Sequence, residues 1–166
     1  MAWLTPLFVI AVLAGAAIEW WLSQRQATAV ARHRGTVPAP FAASISAQEH
    51  AKAADYTVAK VRLARTGLVI DTALTLALTV GGGLAAIDAL WRHTRLAEPW
   101  LGLAVIGTAA LVIRLVSLPL SLWRTFVLEA RFGFNRMTVA LYLTDLAKSV
   151  ALSIAIGGPC SLRRCC

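Results

Sequence analysis

His33, His50 and His93 are the only histidines in the chain, and all three cysteines, Cys160, Cys165 and Cys166, fall in the last seven residues. A hydrolytic metal site on a helix needs two histidines one turn apart with a glutamate between them, so that both rings face one ion and the carboxylate reaches the bound water. Glu49-His50 starts such a pattern, but Ala51-Lys52-Ala53 follows and no second histidine completes it. No Ser-His-Asp arrangement stands out, and the scattered carboxylates share no evident cleft. Gly81-Gly82-Gly83 lacks the Lys and Ser/Thr that a phosphate-binding loop places after its glycines. The residue types offer packing and turn chemistry instead, concentrated between Pro119 and Asp145.

At the centre of that stretch is Phe126-Val127-Leu128-Glu129-Ala130-Arg131-Phe132-Gly133-Phe134-Asn135, with apolar sequence on both sides. Gly133 permits a backbone turn that a side chain would hinder. Phe132 and Phe134 can seat that turn in apolar surroundings, and Asn135 suits a turn or a helix cap. Glu129 and Arg131 are costly so close to lipid unless paired or facing water. Glu129, Phe132, Gly133, Phe134 and Asn135 are therefore expected to form a structural elbow; the bland alternative is an interfacial loop with an aromatic anchor.

The run Phe126-x-x-Glu129-x-x-Phe132-Gly133-Phe134-Asn135-x-x-Thr138, followed by Asp145-x-x-Lys148, resembles the N-terminal membrane region of the CAAX prenyl protease type 1 family, zinc metallopeptidases of the M48 class. A second, collinear match lies upstream, in Pro38-x-Pro40-Phe41 and then Glu49-x-x-Lys52-x-x-x-Tyr56-x-x-x-Lys60-x-x-Leu63, where the family often has Phe in place of Leu63. The resemblance runs from about Pro38 to Gly158. It implies a membrane domain that supports a catalytic region lying beyond these residues. It also implies zinc in full-length relatives, held by an H-E-x-x-H motif that this sequence does not contain. No catalytic or metal residue carries over, and no cofactor is expected in this chain.

Composition agrees with a membrane setting. Of the 166 residues, 58% are hydrophobic and only 14% charged, with a mean hydropathy of +0.70, which is rare for a soluble globule and ordinary for a polytopic membrane protein. The net charge of +8 clusters between apolar spans, which suits topology and anionic headgroups, and no nucleic-acid motif accompanies it. Membrane lipids are the expected partners, together with the C-terminal catalytic region of full-length relatives.

The elements that must hold the elbow follow in order. Residues 3–22 form an apolar run long enough to cross a bilayer, with Trp20 and Trp21 marking the interface; no basic segment precedes it, so a retained helix is expected rather than a cleaved leader. Residues 36–41, with two prolines, read as a linker. A juxtamembrane helix is expected over about 44–66, opened by a Ser46/Glu49 capping box. Glu49, Lys52, Tyr56, Lys60 and Leu63 share one face of it, which either packs on the membrane bundle or carries spaced ion pairs in solvent. The second and third spans are expected at 67–90 and 100–123, the second weakened or closely packed at Gly81–Gly83. Arg114, midway along the third span, calls for a partner or a wet cavity, and Asp71 and Asp88 are candidates. Pro119 should bend the last turns of that span.

A fourth segment is expected at 139–156, where Asp145 and Lys148 could pair at i,i+3. The fold class is thus all-α, a polytopic transmembrane bundle of three full spans and a truncated fourth, with residues 1–158 as one domain. The tail 159–166 is atypical and reads as frameshifted or truncated; prenylation of Cys165-Cys166 and a three-thiol metal site are minor alternatives.

Arg25, Arg32, Arg34, Lys52, Lys60, Arg62 and Arg65 in the first loop, with Arg124, Arg131, Arg136 and Lys148 later, outnumber Arg92 and Arg95 on the other side. The positive-inside rule then puts the N-terminus outside and the first loop and elbow in the cytoplasm. The expected location is an integral position in a bacterial inner membrane. The leading functional expectation is a non-catalytic anchor and chamber wall of an M48-type metalloendopeptidase. The alternatives are a small non-catalytic membrane protein that binds a partner or lipid, and a transporter subunit, which no inverted repeat supports.

Overall fold

The structure, a computed structural model, describes residues 3–37, 45–94, 96–97, 100–133, 137–138, 140–142, 144–145, 147–149 and 151. These residues form helices and turns: α1 (Leu4–Arg32), α2 (Ala47–Thr79), α3 (Gly83–Arg92) and α4 (Trp100–Leu122), with α4 running directly into a π-helical segment, Trp123–Glu129. Helical backbone returns among residues 140–151. The fold is an all-α membrane fold. Leu4–Arg32 and Trp100–Glu129 are each long and apolar enough to cross a bilayer, and α2 with α3 makes a third span if the pair is counted as one. Exposed large side chains such as Leu7, Ile10, Ile18, Ile106, Leu111 and Leu115 are what lipid-facing helices present.

Two compact units divide the chain, one of Met1–Val80 with Ser117–Asn135, the other of Gly81–Val116 with Arg136–Cys166. In the first, α1 packs along α2. The helix does not stop at the tryptophan pair as the hydropathy suggests. It continues to Arg32, because residues 23–32 contain no Gly or Pro, and Ser23 and Thr28 hydroxyls donate back to the carbonyls of Glu19 (2.7 Å) and Gln24 (2.9 Å). With 29 residues the helix is about 43 Å long, so its last third outruns a hydrocarbon core of about 30 Å. It ends at His33, whose ring nitrogen Nδ1 lies 2.8 Å from the Ala29 carbonyl.

α2 opens with the capping box: the Glu49 N–H donates to Ser46 Oγ at 3.2 Å, and Glu49 Oε2 accepts from the Ser46 N–H at 3.0 Å. The juxtamembrane helix and the second span, expected as separate elements over 44–66 and 67–90, are redrawn by the structure. No proline stands between Ala47 and Thr79, and the lone Gly67 does not interrupt the ladder, so the juxtamembrane segment and the first half of the span are one helix of 33 residues. The span then breaks at residues 80–82, where Gly82 takes the left-handed conformation with φ +77°. A Cβ on Gly82 would meet nothing within 4 Å, so the break comes from backbone freedom and not from a close neighbour. Gly67 differs. A Cβ there would come within 3.1 Å of the Leu120 side chain, so its absence lets Leu120 close on α2.

In the second unit, Trp91 Nε1 donates to Thr108 Oγ1 at 2.9 Å, joining α3 to α4 in a region where unmade polar bonds are expensive. Leu101 and Ala109 are buried apolar residues among those described in this unit. The tail 159–166 and the linker prolines Pro38 and Pro40 lie outside the described residues.

Candidate functional site

The elbow begins where α4 changes register. Pro119 has no N–H to give the carbonyl one turn back, and the ladder widens to i→i+5 bonding over Trp123–Glu129. Arg124 Nε stands 3.8 Å from Glu129 Oε1, five residues apart, a spacing that an α-helix carries to different faces and a π-helix brings together. The wider turn also buries Leu128. The chain then turns through Gly133 with φ +75°, its N–H donating to Ala130 O at 3.1 Å.

α2 receives this turn. The Phe132 ring meets Tyr56 edge-on, with centroids 5.4 Å apart and planes at 71°. Lys60 Nζ lies 5.9 Å from the centre of the Tyr56 ring. A Cβ on Gly133 would stand 3.7 Å from Lys52 Nζ, an ordinary contact, so the glycine is required by its positive φ and not by crowding. Glu49, on the same helix, is occupied by the capping box, and its carboxyl is held below the usual carboxylate range by the Ser46 hydroxyl and then by the Ser46 backbone.

A second lock joins α2 to the segment after α1. Arg34, two residues past the end of α1, grips Asp55 with both ends of its guanidinium, Nε to Oδ1 and Nη2 to Oδ2, each at 2.7 Å. The hydrogen bond and then the charge of Asp55 raise the Arg34 pKa; the same hydrogen bond lowers that of Asp55. The Arg34 carbonyl lies 3.1 Å from His50 Nδ1. Between these locks is an open cleft of about 780 Å³ whose lining includes Arg34, Lys52, Arg62, Trp123, Arg131 and Phe132.

The remaining candidates lie apart. Phe134 and Asn135 are outside the described residues. Arg114 is exposed on α4 and has no ion pair among the described residues; Asp88, one of its proposed partners, binds Arg92 at 2.6 Å, because the i,i+4 neighbour is always in reach. Asp145 and Lys148 are exposed and form no ion pair with each other, correcting the expectation from their spacing. The Arg34–Asp55 clamp had no sequence signal, since its members stand 21 residues apart across the linker. Among the described residues, no group of three or more His, Cys, Asp or Glu could hold a metal, so a zinc centre does not fit the side chains seen here.

The family model described as CAAX prenyl protease N-terminal, five membrane helices, matches residues 26–163. The chain belongs to this CAAX prenyl protease N-terminal family. Among its relatives, CAAX prenyl protease 1 of Saccharomyces cerevisiae is 51% identical over 57 residues, which make up 34% of this chain and 13% of that protein. The CAAX prenyl protease 1 homolog of Oryza sativa is 40% identical over 57 residues, covering 34% of this chain and 13% of its own length. The crystal structure of Ste24p from S. mikatae superposes with a TM-score of 0.79 at 29% identity, covering 92% of this chain and 37% of that one. This chain therefore spans well under half of the relatives it matches. The CAAX prenyl protease N-terminal fold accounts for the apolar helices, and the protein is an integral membrane protein.

Proposed function

We propose that this chain is the N-terminal membrane portion of a CAAX-prenyl-protease-type zinc metalloendopeptidase, and that it supplies anchorage and chamber wall while catalysis resides in sequence outside it. The observation that carries the reading is the likeness to Ste24p over 92% of the chain, joined to a sequence in which no H-E-x-x-H occurs. A fold kept without ligands for zinc supports a scaffolding role, with the zinc held elsewhere in full-length relatives. In this role the elbow, with Phe132 against Tyr56, Glu129 beside Arg124 and the turn at Gly133, fixes the direction in which the chain leaves α4. Its partners are membrane lipids and the catalytic region. The asymmetry of basic residues supports an N-terminus outside and a cytoplasmic first loop.

The purified 166-residue chain should bind no stoichiometric zinc by elemental analysis and cleave no peptide. Chelator-sensitive proteolysis that co-purifies with the chain and disappears when the chain is immunodepleted would overturn the reading.

A further inference from the structure

The cleft between the end of α1, α2 and the π-helical segment has an excess of positive charge that the fold does not consume. Arg62 and Arg131 carry it; Arg34, also in the lining, is taken up by the Asp55 carboxylate at 2.7 Å. Arg62 and Arg131 are exposed and form no ion pair among the described residues. Apart from Lys52 and Thr66, the rest of the lining is apolar or aromatic, and includes Val58, Leu63, Leu128 and Trp123.

The depth of the cleft is marked by two stacked pairs. Arg65 lies over Trp20 at 5.3 Å and Arg25 over Trp21 at 4.8 Å, at the level where α1 and α2 leave the lipid. Arg65 Nε is buried and has no hydrogen-bond partner among the described residues. Arg62 stands three residues before Arg65, one turn nearer the start of α2, so the belt position of Trp20 and Trp21 assigns it to headgroup depth. Trp123 shares that cleft, and its 59% exposure fits a belt tryptophan.

We propose that this cleft is a binding site for the headgroup of an anionic phospholipid, with Arg62 and Arg131 on its phosphate and Trp123 and Leu128 beside the start of its chains. Charge complementarity selects the ligand: two arginines without counter-ions, at headgroup depth beside apolar surface, match an anion that carries its own hydrocarbon. A planar guanidinium fork suits a phosphate better than an ammonium does. The site needs only an interface, so it stands whether or not the chain works beside a catalytic region.

The test is native mass spectrometry of the 166-residue chain from mild detergent containing equal phosphatidylglycerol and phosphatidylcholine. Wild type should retain one phosphatidylglycerol in preference to phosphatidylcholine. Each arginine near a membrane surface contributes roughly five-fold in anion affinity, so Arg62→Gln with Arg131→Gln should lower that preference by about 25-fold. The charge-matched pair Arg25→Gln with Arg92→Gln should change it less than about three-fold, and circular dichroism should show both double variants as helical as wild type. Equal loss in the two double variants would mean diffuse surface charge and overturn the site. Absence of any phosphatidylglycerol preference in wild type, as for a cleft built to receive an acidic protein segment, would also overturn it. So would displacement of the lipid by millimolar inorganic phosphate, which would mark a site for the free anion.

Discussion

The Arg34–Asp55 clamp shows how an exposed pair can still matter to position. Both side chains are about half exposed, so solvent weakens their attraction, but the two-point geometry fixes an angle as well as a distance. It ties the chain just after α1 to the third turn of α2. Asp55 has its pKa lowered by Arg34, and Glu49 has its pKa lowered by Ser46. A carboxyl with a depressed folded pKa contributes stability that is fully present above its unfolded pKa and is lost as pH falls through the folded value. Thermal melts of the detergent-solubilised chain should therefore lose several degrees between neutral pH and pH well below the carboxylate range. Asp55→Asn should melt lower than wild type at neutral pH and show a shallower acid slope, with the remainder removed by adding Glu49→Gln. An acid slope unchanged in both variants would show that neither carboxyl contributes through its partner.

Among the elements, the two left-handed glycines do different things. Gly82 ends α2 inside a membrane span, and Gly133 ends the helical run that began at Trp100. Alanine at a left-handed position costs about 1–2 kcal/mol whatever the space around it. Gly133→Ala should lower the melting temperature clearly more than Gln26→Ala on the exposed face of α1, and Glu129→Ala should do so by a smaller step, through loss of Arg124. If Gly133→Ala and Gln26→Ala melt alike, the elbow is only an interfacial loop. The sequence signals here are uneven for physical reasons. The capping box is readable because its two residues act locally, over three positions. Gly133 is readable as a turn because it interrupts an aromatic pair, but Pro119 announces only a disturbed ladder and says nothing of π register. The end of α1 was obscured because Trp20 and Trp21 report the lipid boundary, while the helix boundary is set by Gly35 and the residues after it. The division of the second span was legible as a glycine run, and its consequence, a left-handed break without a close neighbour, was not.

For the whole molecule, hydropathy alone predicts three full spans; the structure carries two long apolar helices, α1 and the run from Trp100 to Glu129, and a third span if α2 and α3 count as one. What composition could not reveal is the long-range pairing, such as Arg34 with Asp55 or Trp91 with Thr108, whose partners are distant in sequence and ordinary in type. The orientation rests on loop charge. In a chain with Cys160, Cys165 and Cys166 changed to Ser, a membrane-impermeant thiol reagent applied from outside should label Leu96→Cys and leave Gln48→Cys unlabelled until the membrane is opened. The reverse pattern would invert the topology.

If this fold is the working N-terminal membrane portion of a protease whose chemistry lies elsewhere, it must support catalysis when joined to a catalytic region. A chimera tests it most directly: residues 26–163 replace the corresponding segment of the S. cerevisiae CAAX prenyl protease 1, and chelator-sensitive cleavage of that enzyme's own substrate is measured in purified material. Zinc-dependent activity is expected in the chimera, falling at least several-fold when Gly133→Ala is introduced, and none in the 166-residue chain alone. A chimera that folds and binds zinc at full stoichiometry yet cleaves nothing would contradict it.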